Sequence, residues 1–378
     1  TAFYTVCGLF MGVLADRVHR PRLIAAGLTV WTLLTAVSGA TRNFAELAAA
    51  RLFIGVGEST ATPASLAMLS DKFDEHRRGL ASSIYYLGVP VGSAGAFIFA
   101  SVMEPLVGWR GCFYLLGATG LVFVLVLLFL KDPIRGATEQ TSTSAPAQPR
   151  KLAEIATEML ATIRSTPALV FTILGGMMLV MPMGASALDI LWLINERGFE
   201  QQRAQQIGGA CFLIGGIFGG IVGGTLSDRF NRTRSGGRMR FMFVAYLLFT
   251  PLAFGYRLVP GDSPLFIPAL LLAAVGLMMP FGPLMASVQD LSPPRVRATV
   301  VALLVFCLAL VGQGLGSAMA GLLADAFIAA GHSSPYTRAL LCGTLPLLAA
   351  LPLLWLASRH YAGDRLRMLA RSAPAETS

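Results

Sequence analysis

Charge is what this sequence has least of. Asp, Glu, Lys and Arg make up 13% of 378 residues, about half the share of a soluble globular domain. With 55% hydrophobic residues, such a chain cannot cover a water-facing surface with polar groups. Nucleotide and metal patterns are missing too. No G-x-x-x-x-G-K-[ST] stretch offers a backbone cradle for ATP phosphates, and no H-E-x-x-H places two imidazoles on one helix face. The four His all fall between apolar runs, so no nucleophile–His pair is indicated within a membrane. No cofactor, no metal and no enzymatic activity are expected. The five cysteines, Cys7, Cys112, Cys211, Cys307 and Cys342, are odd in number and scattered through apolar runs. They read as small hydrophobes rather than disulfides or ligands.

What is present is long apolar runs. About 20 residues of helix cross the hydrocarbon core, and only helices or closed barrels satisfy every backbone group there. The runs are too long for barrel strands. Eleven spans are expected: 1–15, 23–40, 45–69, 79–103, 110–130, 168–191, 204–226, 240–258, 264–287, 298–325 and 338–357. The first is short, begins at residue 1 without Met, and lacks the basic leader of a signal peptide. It reads as a truncated span. The net charge of +9 could suggest nucleic acid, but its distribution argues against that partner. With spans alternating, 22 of the 29 basic residues fall on one side, six on the other, and Arg51 within a span. That asymmetry is a positive-inside signal. It puts the C-terminal tail of this multi-pass protein in the cytoplasm. Separately, a cell membrane, a bacterial inner membrane by preference, contact with the lipid bilayer and a monomeric state are expected.

Residues 136–149, GATEQTSTSAPAQP, form a polar, low-complexity break after five spans and before six. Residues 150–164 then place Leu152, Ile155, Met159, Leu160 and Ile163 at helical spacing. This predicts a short amphipathic helix, either lying on the membrane surface or packed on the loops. The chain also carries one charged nonapeptide twice: GVLADRVHR at 12–20 and GTLSDRFNR at 224–232. The first copy follows the first span of its half and the second follows the second span. If the halves are equivalent, the plan is six plus six helices with one lost at the N-terminus.

These nonapeptides resemble the signature loop of the major facilitator superfamily, G-x-L-x-D-R-x-G-R-[RK], with His19 and Asn231 at the place of its second glycine. The resemblance implies an all-α integral membrane protein of the major facilitator fold. It implies two six-helix bundles related by a pseudo-two-fold axis, with 11 of 12 transmembrane helices in this chain. The expected division is an N-terminal bundle over 1–130, a cytoplasmic linker with an amphipathic helix over 131–166, a C-terminal bundle over 167–357 and a cytoplasmic tail over 358–378. RLFIGVGEST (51–60), YYLGVPVGSAGAF (85–97) and DPIRG (132–136) further resemble the Spinster branch. Bacterial sugar-acid and aromatic-acid permeases share similar fourth and fifth helices.

Two groups of residues are candidates for the work. The repeated loop implies a cytoplasmic gate: Gly12, Asp16, Arg17, Arg20, Arg77 and Arg78 in the first half, Gly224, Asp228, Arg229 and Arg232 in the second. The glycines permit close helix approach. The carboxylates can cap a helix or pair with arginines of the next loop: Arg77 or Arg78 for Asp16, Arg295 or Arg297 for Asp228. The alternative is that the arginines only set topology. The second group is intramembrane. Glu58 lies near the middle of its span, and an ionisable residue at such depth marks a functional site by default. Arg51 lies two helical turns earlier on nearly the same face, about 10 Å along the axis. Glu58 could exchange a proton and Arg51 could hold a carboxylate or phosphate, or Glu58 could pair permanently with another helix. Ser59, Thr62, Tyr85, Tyr86 and Gln313 could line a cavity. Gly88, Pro90 and Gly92 mark a bendable span. The expected function is a secondary transporter of a small organic solute, an organic anion or amphiphile, working by alternating access and proton-coupled through Glu58. An uncoupled facilitator, or a non-transporting receptor on the same fold, are the alternatives.

Overall fold

A computed structural model describes residues 7, 8, 11, 14, 15, 18–72, 85, 88–133, 152–233, 236–293 and 296–372. The chain divides into two compact units, Thr1–Gln148 and Pro149–Ser378, so the boundary falls inside the polar break. Every described element is helical. The first unit contains α1 (Arg20–Ala40), α2 (Phe44–Glu58), α3 (Ala61–Lys72) and α4 (Gly88–Leu128). The second contains α5 (Leu152–Ser165), α6 (Pro167–Ala185), α7 (Asp189–Arg197), α8 (Gln201–Thr233) and α9 (Gly237–Gly255). It continues with α10 (Phe266–Met278), α11 (Phe281–Asp290), α12 (Arg297–Cys307), α13 (Gly316–Ala329), α14 (Pro335–Thr344) and α15 (Pro346–Ser372).

Among the described residues, eight helical stretches are long and apolar enough to cross a membrane. Seven correspond singly to expected spans. The eighth, Val91–Leu128, takes in the expected spans 79–103 and 110–130. It is broken at Gly108, whose φ of 69° and ψ of 170° leave helical geometry. A positive φ is open to glycine at little cost. Beyond that break the helix returns antiparallel to α1, placing Gly39 beside Arg110, Gly117 beside Ala36 and Gly120 beside Thr32. The expected span 45–69 is two helices, α2 and α3, separated at Ser59–Thr60. Span 1–15 lies mostly outside the described residues.

Packing follows the membrane rule that small residues bring backbones together. In the first unit, a Cβ on Gly57 would sit 2.4 Å from the Gly27 carbonyl oxygen and 2.8 Å from the Trp31 nitrogen. In the second, Gly215, Gly219 and Gly223 of α8 recur every fourth residue against α10 and the residue after it. Their Cβ positions would lie 2.5, 2.3 and 2.2 Å from Ala274, Val275 and Met279. The neighbouring Gly220 and Gly224 meet nothing within 4 Å, so the doubled glycines split into an inward and an outward row. The core of the second unit gathers Leu169, Leu179, Met239, Met242, Leu284 and Leu354, all fully or nearly fully buried. Met159 and Ile163 of α5 pack against this core, so the amphipathic helix lays its apolar side on its own unit.

Substituting Gly57 by Ala forces a methyl group against backbone, which cannot move aside as a side chain can. Overpacking costs about 1–3 kcal/mol. We expect Gly57→Ala to lower the melting temperature of the purified protein by several degrees, and Gly363→Ala, in open space, to leave it unchanged.

Candidate functional site

The Gly27–Gly57 contact decides where the intramembrane charges point. Ala50, Ile54 and Gly57 are buried on the inner side of α2. Arg51 and Glu58 each follow a buried residue by one position, about 100° around the helix, and both are exposed on the first unit. No ion pair or hydrogen bond joins Glu58 to Arg51 among the described residues. The Arg51 guanidinium lies 4.6 Å from the centroid of the Phe113 ring, a cation–π arrangement. Glu58 ends α2, and the break after it is satisfied locally. The Ser59 hydroxyl donates to the Val56 carbonyl at 2.7 Å, and the Thr60 hydroxyl to the Gly57 carbonyl at 2.9 Å. Interrupted helices are tolerated in membranes where hydroxyls supply such bonds. Ser59 is 1% exposed; within its unit it packs and caps rather than lining a cavity. Tyr85 and Thr62 do meet, the Tyr85 hydroxyl donating to Thr62 Oγ1 at 3.3 Å. Tyr86 lies outside the described residues. Gly88, Pro90 and Gly92 lie in α4 where its dihedrals stay helical; the departure falls at Gly108.

Gln313 belongs to the second unit. It sits in a π-helical stretch, Leu308–Leu315, half-buried, with its Nε2 donating to Met183 Sδ at 3.4 Å. Wider π turns occur often at functional sites. Here the stretch lies hard against α6, where a Cβ on Gly184 would sit 2.2 Å from the Gln313 carbonyl oxygen. Sequence reasoning reached Gln313 but not the π turn; Gly312 and Gly314 beside it were the only signal.

Of the gate residues, Gly12, Asp16, Arg17, Arg77 and Arg78 lie outside the described residues. Arg20 forms the centre of a clamp. Its side chain is 3% exposed. Nη1 reaches Asp71 at 2.5 Å, Nε reaches Asp132 at 2.8 Å, and Nη2 donates to the Pro133 carbonyl at 2.9 Å. The Arg20 backbone N–H also donates to Asp132 at 3.0 Å. One guanidinium thus ties the start of α1 to the end of α3 and to the segment after α4. Its planar fork makes that triple contact possible.

The second unit repeats the arrangement with a different arginine. For Asp228 the expectation is a helix cap or a pair with Arg295 or Arg297. Among the described residues its partner is Arg238, at 2.8 Å, and Arg238 also pairs with Asp290, which accepts from the Tyr361 hydroxyl at 2.8 Å. Arg295, and the side chain of Arg297, lie outside the described residues. Arg229 and Arg232 are exposed, and Gly224 approaches Gly282. Aligning the nonapeptides equates Arg20 with Arg232, but α8 continues helical through Thr233, and the next helix starts only at Gly237. The position that matters is the start of the next helix, so Arg238 takes the role. Asp71, Asp132, Arg238, Asp290 and Tyr361 were missed. Their signal was placement at span ends, with Arg20 and Arg238, and Asp71 and Asp290, separated by nearly equal stretches of chain.

At the opposite edge of the second unit, Arg257 pairs with Asp189 at 2.9 Å. The guanidiniums of Arg197 and Arg257 lie 4.7 and 5.3 Å from the Trp192 ring centroid. Glu196 accepts from the N–H groups of Tyr336 and Thr337 at 2.6 and 2.9 Å, capping α14. These contacts stay within the unit, and the Nε atoms of Arg197 and Arg257 are buried without a hydrogen-bond partner.

A family model of the Major Facilitator Superfamily matches residues 1–317. The chain belongs to this superfamily. It is therefore a membrane transporter rather than an enzyme, and its helices adopt the major facilitator fold. Within the superfamily its likeness runs to the Spinster-like branch. It is 27% identical over 369 residues to an MFS-type efflux pump of Mycolicibacterium smegmatis, covering 96% of this chain and 82% of that one. It is 25% identical over 295 residues to the probable sphingolipid transporter spinster homolog 1 of Arabidopsis thaliana, covering 69% of this chain and 59% of that one. Among solved structures, a bacterial homolog of the human lysosomal transporter Spinster, inward-facing and unoccupied, superposes with a TM-score of 0.76 at 21% identity, covering 99% of this chain and 88% of that one.

Removing one partner of a buried ion pair costs about 3–5 kcal/mol. Asp71 and Asp132 retain 16% exposure, so Arg20→Gln is expected at the lower end, about 3 kcal/mol, as a loss of melting temperature and yield in detergent. Arg20→Lys, which keeps the charge but cannot fork to both carboxylates, should recover less than half of it.

Proposed function

We propose that this transporter is a secondary carrier of an amphiphilic organic anion, moving it by alternating access with proton coupling through Glu58. The observation that carries the reading is the open face of α2. Arg51 and Glu58 lie two turns apart on it, exposed on their unit and not paired with each other. The charged groups of the two clamps, by contrast, are already neutralised inside their own units. A group committed to a buried pair is costly to release. Groups outside such pairs are the ones able to take a substrate or a proton. In this reading Arg51 receives the carboxylate or phosphate of the cargo, and Glu58 loads or gives up a proton as it arrives. An efflux pump and a probable sphingolipid transporter among the relatives favour an amphiphile over a sugar.

The Arg20 and Arg238 clamps are read as latch parts that hold helix ends together at the basic edge while the bundles rock. By the positive-inside count that edge is cytoplasmic, as is the C-terminal tail, in a bacterial inner membrane. Tyr85, Thr62 and Gln313 are read as cavity groups, and the carrier as a monomer.

The test uses the full-length gene product in liposomes with a trapped pH dye. Lysolipids, sphingoid bases and organic anions are added outside, for wild type and Glu58→Gln. Cargo-dependent proton movement that falls at least tenfold in Glu58→Gln is the expected result. Cargo flux without proton movement in either protein would overturn coupling and leave a facilitator. Binding without flux would overturn the carrier reading itself.

A further inference from the structure

Among the described residues, the clamps and the α2 face leave a further basic site unused. A cavity of about 390 Å³ lies between the start of α9 and the middle of α15. Arg240 enters it from α9, and Ser358 and Arg359 from α15. The Arg359 guanidinium rests 4.0 Å from the centroid of the Trp355 ring, which also lines the cavity. No Asp or Glu contributes to the lining, and neither Arg240 nor Arg359 has an ion pair among the described residues. Arg238, two residues from Arg240, is fully taken up by Asp228 and Asp290. The cavity therefore holds two positive charges without a carboxylate between them. Gly236 closes one side, and a side chain there would meet the Ser358 carbonyl oxygen at 2.8 Å.

Below the arginines the surface turns apolar. Phe243 and Val244 form the inner wall. Continuing along α9 at helical spacing, Leu247 and Leu248 are 49% and 74% exposed, and on α15 Leu348 is 50% exposed. A basic, aromatic-flanked pocket above an outward apolar strip has the layout of a phospholipid: headgroup, interface, acyl chain. Tryptophan favours that interface, and basic pockets between helices at this depth suit anionic headgroups. We propose that this cavity holds the phosphate of an anionic phospholipid, with its acyl chains lying along the α9–α15 surface. A free phosphate could use the same two guanidiniums but would gain nothing from the apolar strip.

The experiment uses the purified full-length protein in detergent. Its melting temperature is followed against phosphatidylglycerol, phosphatidylcholine and inorganic phosphate, for wild type and the double variant Arg240→Gln/Arg359→Gln. Phosphatidylglycerol should stabilise wild type more than phosphatidylcholine does. Each basic residue near a headgroup contributes about fivefold in affinity, so the double variant should bind phosphatidylglycerol roughly twenty-five-fold more weakly. Equal stabilisation by the two lipids, or unchanged affinity in the double variant, would overturn the site. Stabilisation by inorganic phosphate alone would make it a free-anion site and overturn the lipid. Should the double variant fail to fold, brominated lipids provide a second readout. Quenching lost in Trp355→Phe should be stronger with brominated phosphatidylglycerol than with brominated phosphatidylcholine, and equal quenching would overturn the proposal.

Discussion

The first unit depends on one close contact between backbones. With no side chain on Gly27 or Gly57, α1 and α2 approach until the Gly27 carbonyl oxygen lies 2.4 Å from where a Cβ of Gly57 would stand. That approach fixes the rotation of α2 about its axis. Ala50, Ile54 and Gly57 must turn inward, and Arg51 and Glu58 are thereby carried to the open side. Hydrophobicity alone could not do this, because lipid is as apolar as the helix faces it competes with. Packing of small residues aims the two charges.

The same economy of polar groups shapes the membrane edges. A guanidinium buried at a helix start would be untenable alone, and Arg20 is held by two carboxylates and a carbonyl. Arg238 is held by two carboxylates, one of which also accepts from Tyr361. In each unit the arginine sits in the first turn of the helix after the repeated motif, and one of its carboxylates lies at the end of a helix, Asp71 in α3 and Asp290 in α11. The recurrence is of an architectural position, not of a motif letter. That is why Arg232, the literal counterpart of Arg20, is left exposed while a residue six positions later carries the contacts.

This difference shows how far sequence reasoning reached. Long apolar runs were enough for the membrane class, a polar stretch for the break between units, and the resemblance of the repeated nonapeptide to a signature loop for the major facilitator fold. Glu58 and Arg51 were legible because charge at mid-span is rare. The break at Ser59–Thr60 was not, since the hydroxyls that repair it look like ordinary small polar residues until their carbonyl partners are known. Nor was the pairing of Asp228. Arg238 owes its place beside Asp228 to the start of α9 at Gly237, which the motif does not mark. The turn at Gly108 was hidden for a related reason: one glycine among 40 carries no mark of a positive φ.

The distribution of satisfied and unsatisfied charge has a consequence for motion. Each clamp closes on partners of its own unit, as does the Arg257–Asp189 pair beside Trp192 at the far edge. Such pairs make each unit a stiff body, because opening one exposes an uncompensated charge to low dielectric. A carrier that rocks two bundles needs stiff bundles. It also needs a few groups whose partners change between states, since a ligand shifts a conformational equilibrium only through differential contacts. Charge held inside a unit cannot supply that difference. Charge on an open face can, and in the first unit Arg51 and Glu58 lie on such a face.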